Sequence, residues 1–160
     1  MHTGETLGEM HARAHGNLES LLEHCRRFSP EELHRELAGF GYGTIQLQLH
    51  HEIGAELYWI GVLDGRIDAD DDAPDYPTVE SLEAYRERVF AGTQQYLCGA
   101  TVEELNTPRA MQTWGGKEQV LTPAHVFLRT LAHLYHHQGQ ITAMCRMLGH
   151  PVNGLDYPHG

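Results

Sequence analysis

No apolar run in this chain approaches the roughly 18 residues needed to cross a bilayer, so no membrane helix and no membrane partner are expected. The opening residues, Met1 to Glu5, lack a basic segment followed by an apolar one; without a visible secretory leader, a cytoplasmic location is expected. Cysteine is scarce. Cys25, Cys98 and Cys145 are odd in number, widely spaced and free of any Cys-x-x-Cys pair, which argues against a disulfide framework and fits a reducing compartment. Basic residues are also few: 11 Lys and Arg stand against 22 Asp and Glu, and a formal charge of -11 repels phosphate backbones, so nucleic acid is not an expected partner. A further absence is local. Between Thr122 and Gly149 there is no acidic residue, and the chain's Glu-x-x-His spacing, Glu31 to His34, falls in a short turn; a carboxylate-bridged pair of irons is therefore not expected.

What remains is a helical pattern. The 160 residues suit one domain, 1–160, with a real core. Leu7, Met10, Ala14, Leu18, Leu21, Cys25 and Phe28 form one narrow stripe of a first helix, about Thr6 to Phe28. Ser29-Pro30-Glu31-Glu32 is a capping box that starts a short helical turn to about Leu37. Thr44 can cap a second long helix stopped at Asp64-Gly65, and Thr78 a third from Val79 to about Cys98. Thr101 to Glu104 is another capping box. Trp114-Gly115-Gly116 then sits between two short segments, Ala110 to Thr113 and Lys117 to Leu121, as a hairpin. Thr122-Pro123 opens the last helix and Gly149 closes it. Four long helices predict an all-α four-helix bundle. The acidic stretch from Asp68 to Asp75 lacks the spacing of a calcium loop and reads as a solvated link. Leu49, Ile53, Leu57 and Ile60 form an extra apolar side on the second helix, for which a homodimer interface is the sharper explanation and a central, more buried helix the simpler one.

The 13 histidines are the outlier of the composition. On a helix, His133 and His137 lie about 40° and one turn apart, so both imidazoles can reach one ion, whereas His136 points away. Val126, Thr130, Met144 and Leu148 share their face, which turns the pair inward; core histidines held by hydrogen bonds are the alternative. A third ligand is needed, and His51, in line with Leu47, Ala55, Tyr58 and Val62, is the leading candidate, with His50 reachable by a modest rotation of the helix. His51-Glu52 followed by Ala55 is not a His-Glu-x-x-His zincin motif. His11 and His15 repeat the His-x-x-x-His spacing at the edge of the first stripe, where solvent exposure is expected.

The segments His51-Glu52-Ile53-Gly54-Ala55-Glu56-Leu57-Tyr58-Trp59 and His133-x-x-x-His137-Gln138-Gly139-Gln140-Ile141 resemble the DinB/YfiT-like family of metal-dependent enzymes, and the resemblance runs over nearly the whole chain. It implies a four-helix bundle and a divalent ion held by three histidines, which fall here on His51, His133 and His137. The sequence departs at Gln138, where the family often has Arg, and at Leu134, where it often has an acidic residue. Zn, Ni or Fe would suit three imidazoles and leave an open position. The resemblance implies thiol S-transferase chemistry with a low-molecular-weight thiol as cosubstrate, a hydrolase as an alternative, and a non-catalytic metal-binding or stress-response protein as another. Glu56, Tyr58, Arg129 and Gln140 are the polar residues expected around such a site.

Overall fold

The computed structural model describes residues 1–67, 71–153 and 155–157. It contains helices α1 (Gly4–Cys25), α2 (Pro30–Leu33), α3 (Ile45–Leu63), α4 (Val79–Gly99), α5 (Val102–Asn106) and α6 (Pro123–Met147), with strands β1 (Arg109–Thr113) and β2 (Lys117–Leu121) before α6. The hydroxyls of Ser29, Thr44, Thr78, Thr101 and Thr122 each accept the backbone N–H three residues on, so every expected cap forms. The box at Thr101 is only half made, because the Glu104 carboxylate accepts from the Tyr96 hydroxyl instead of reaching back. Three boundaries on the first two helices differ from expectation. α1 starts earlier, on a Thr3 cap, and ends at Cys25; α2 stops at Leu33, after which the Leu37 N–H closes a loop onto the Gly43 carbonyl at 2.7 Å.

The two helices that carry the expected ligands both end in Schellman motifs. Gly65 (φ 73°) and Gly149 (φ 85°) take the left-handed conformation, and the N–H groups of Arg66 and His150 bond back to Gly61 (2.7 Å) and Cys145 (2.9 Å). Antiparallel β1 and β2 pair from Arg109 with Leu121 to Thr113 with Lys117. The tip is pinned over α3: the Trp114 N–H donates to the Tyr58 hydroxyl at 2.9 Å, and the two rings stack 4.1 Å apart.

α1 packs against α4 and α6, and α3 against the same two helices. One core cluster joins Leu18 and Leu22 of α1, Leu49 and Ile53 of α3, Leu82 and Val89 of α4, and Ile141 and Met144 of α6. A second gathers Leu7, Tyr58, Ile60, Leu97 and Phe127. These clusters account for the extra apolar side of α3. Leu49, Ile53 and Ile60 are buried by the chain's own helices and Leu57 is partly covered, so this side supplies no motive for a homodimer. Residues 68–70 of the acidic link lie outside the described residues; beyond them, Asp71 pairs with Arg88 and accepts from the Tyr76 hydroxyl at 2.6 Å. Among the described residues, no helix is long and apolar enough to cross a membrane.

Candidate metal centre

His51 from α3 and His133 and His137 from α6 each offer one ring nitrogen to a common point, and these nitrogens all lie within 4.8 Å of one another. The ring centroids are 5.1 Å apart for His51 and His133, 4.6 Å for His51 and His137, and 4.3 Å for His133 and His137. Nε2 of His137 stands 3.1 Å from Nε2 of His133. Helical spacing places the α6 pair, and the packing of α3 on α6 brings up the third ring. His50 is directed elsewhere, with its ring 5.6 Å from Tyr76 and 5.4 Å from Tyr85.

Burial lowers the pKa of His51, His133 and His137 to about 4 each, and the mutual repulsion of charged neighbours adds to it. At neutral pH all three are neutral imidazoles, the form that binds a cation. Together with the convergence of their nitrogens, this donor set fits a divalent metal ion.

The surroundings include residues that sequence reasoning did not single out. Oε1 of Gln48 lies 2.7 Å from Nδ1 of His137, and the Gln48 amide nitrogen donates to the carbonyl of Tyr42 (3.2 Å) and to Oε1 of Gln140 (2.9 Å). The Tyr42 ring stacks on His51 at 4.0 Å. Gln48 is one turn before Glu52, and a polar residue at that depth in an apolar helix was the available signal. A cavity of about 280 Å³ opens beside His51, lined by Tyr42, Leu47, Gly54, Ala55, Tyr58, Asp72 and Trp114 among others.

Of the four polar residues expected around the site, Gln140 is in the network just described and also bonds Nε2 of His136 at 2.7 Å. Tyr58 lines the cavity. The Arg129 guanidinium lies over the Trp59 ring, 4.5 Å from its centroid, and its charge contributes to lowering the proton affinity of His133. Glu56 is elsewhere. It is fully buried and accepts from Nε2 of His11 (2.8 Å), Nε2 of His15 (2.8 Å) and the Thr93 hydroxyl (2.5 Å).

His11 and His15 are therefore not surface residues, as the stripe on α1 had suggested; each is only 2% exposed. α1 packs against both α4 and α6, so its buried arc is wider than its apolar stripe, and Glu56 takes up Nε2 of both rings. Burial works to raise the Glu56 carboxyl, but His15 and His11 outweigh it and hold the carboxylate far below its ordinary range. One turn earlier on α3, Glu52 is driven the other way, with burial raising its pKa well above the usual value.

Among curated proteins the chain finds no sequence match. In structure it is similar to the crystal structure of a DinB family member protein from Shewanella denitrificans, with a TM-score of 0.58 and 17% identity over 97% of this chain and 88% of that one, a likeness of fold. The model of the DinB family matches residues 2–160, and the chain belongs to the DinB family.

Proposed function

We propose that the chain is a metal-dependent enzyme whose divalent ion is held by His51, His133 and His137, and that its chemistry is transfer to or from a small thiol. The observation that supports this most is the meeting of three neutral imidazoles, one of which, His51, lines a cavity of about 280 Å³. Three protein nitrogens leave a coordination position open, and Zn, Ni or Fe suits such a set. A bound ion of this kind lowers the pKa of a thiol or water and supplies a nucleophile near neutral pH.

The chain's own residues bind and orient. Tyr42, stacked on His51, and Tyr58 with Trp114 above it give the cavity three aromatic walls for a substrate's apolar part. Arg129 is exposed and already stacked on Trp59, so its remaining N–H groups can hold a carboxylate on the thiol. The protein's own thiols do not serve as nucleophiles in this reading: Cys25 and Cys145 are completely buried in the core, and Cys98 is on the far part of α4, outside the cavity lining.

Protein purified without a histidine tag and loaded with Zn, Ni or Fe should bind one equivalent and turn over at least one low-molecular-weight thiol in a panel. Arg129→Ala should raise the KM for a carboxylate-bearing thiol with metal content intact. Turnover by the loaded protein that equals the metal-free rate with every thiol would refute the transferase reading.

A further inference from the structure

The side-chain amide of Gln48 has one permitted orientation. Its nitrogen faces the backbone carbonyl of Tyr42 at 3.2 Å, an oxygen that can only accept, so the NH2 group must be there and Oε1 must face Nδ1 of His137 at 2.7 Å. Nδ1 of His137 consequently carries the ring proton and Nε2 carries a bare lone pair. That lone pair is on the side of the ring that faces His133, 3.1 Å away. Gln140 reinforces the setting, since its Oε1 accepts from the Gln48 nitrogen at 2.9 Å while its own nitrogen faces Nε2 of His136 at 2.7 Å. Gln48 is 0% exposed, so water does not compete for these bonds.

His11, in the buried pair on α1, is set the opposite way. The Gln94 nitrogen donates to the Gly8 carbonyl at 3.0 Å, which puts the same NH2 group against Nδ1 of His11 at 2.8 Å. Nδ1 of His11 must accept. Its proton is on Nε2, aimed at Glu56, and that nitrogen has no lone pair to offer a cation.

We propose that Gln48 is a positioning residue that fixes the Nδ1–H tautomer of His137, so that Nε2 of His137 presents a bare lone pair to a divalent cation, whereas Nε2 of His11 holds its proton against Glu56. The inference rests on the three-histidine reading above for its metal half only. The physical cause is the one that orients metal-bound histidines generally, in which the bond made by one ring nitrogen selects the state of the other. Here the selection is made by a main-chain carbonyl, relayed through one amide, and it is in place before any ion arrives.

The test uses long-range proton–nitrogen correlation spectra of the histidine rings in the metal-free full chain, in mildly alkaline buffer, together with zinc affinity measured by competition with a chromophoric chelator. The parent should show Nδ1–H at His137 and Nε2–H at His11. Gln48→Met, close in volume and unable to accept strongly, should shift His137 toward Nε2–H and weaken zinc binding by about 10- to 100-fold. Gln48→Glu keeps an acceptor oxygen at the same reach and should restore the Nδ1–H form and most of the affinity, which a purely structural role would not produce. An Nε2–H signature at His137 in the parent, or unchanged tautomer and affinity in a folded Gln48→Met chain, overturns the proposal; the parent spectrum decides even where the variant fails to fold. A parent with the expected tautomer that takes up no zinc overturns the three-histidine reading instead, so the two failures are told apart.

Discussion

His11 with His15 and His133 with His137 share one spacing on two helices of the same core, yet their surroundings give them opposite chemistry. The α1 pair meets a carboxylate: Glu56 takes an N–H from each ring and the Thr93 hydroxyl as well, in a pocket with almost no solvent access. On α6, where no acidic residue occurs, the rings meet a third imidazole, His51, which lines a cavity, and the amide of Gln48. A buried carboxylate consumes imidazole protons as hydrogen bonds and ties three helices together; without one, the lone pairs remain available to a cation. The His-x-x-x-His spacing by itself distinguishes nothing.

The comparison breaks most sharply on metal content. Replacing both His133 and His137 with Ala should abolish stoichiometric uptake of a divalent ion, while His11→Gln, which retains an N–H for Glu56, should leave one equivalent bound; elemental analysis after dialysis reads both. Retention by the first variant, or loss by the second, would reverse the roles assigned to the two pairs.

On stability the order inverts. Glu56→Gln leaves His15 or His11 without a good acceptor inside the core and should cost about 3 kcal/mol in urea unfolding, with metal content unchanged. Its pH dependence carries a sign. The folded pKa of His15 is lowered, chiefly by burial, so its contribution is complete above the ordinary imidazole value of 6.5 and is lost as the pH falls below it, because the unfolded chain then binds a proton that the native ring refuses. Glu56 acts in the same direction from the ordinary carboxyl value of 4.5 downward. Glu52, with its raised pKa, opposes them, since its cost disappears as the pH falls. Subtracting the urea midpoints of Glu56→Gln from those of the parent across this range should isolate a difference that shrinks below about pH 4.5, the ordinary carboxyl value. A difference that grows instead would mean that Glu56 is protonated in the native core.

The smallest effect is expected at Thr93→Val, which removes one hydroxyl bond to Glu56 and nothing from the α6 site. A loss of about 1.5–2 kcal/mol is expected by denaturant titration, with zinc affinity equal to that of the parent. A change in zinc affinity would show that the two regions are coupled through α3.

Most of the architecture was legible along the chain because its signals are local. Ser29, Thr44, Thr78, Thr101 and Thr122 each bind an N–H three residues away, and Gly65 and Gly149 end helices by a backbone conformation that side chains resist; neither device needs a distant partner. Helical geometry likewise put His133 and His137 on one face, and His51 could be named because its helix has a recognisable inner side. Elsewhere the deciding contact comes from far along the chain. His11 and His15 looked solvent-facing until α4 and α6 were seen to cover both flanks of α1, and Leu49, Ile53 and Ile60 suggested a second subunit until the chain's own helices covered them.

The sequence by itself therefore determined where helices begin and end, and which histidines one helix can aim together, since both follow from bonds and rotations spanning a few residues. Only the tertiary structure decided what each imidazole meets. Glu56 is 45 residues from His11, and Gln48 is 89 residues from His137. The proton on an imidazole is placed by whichever group lies within hydrogen-bond reach, and in a folded core that group is chosen by helix packing, not by neighbours in the chain.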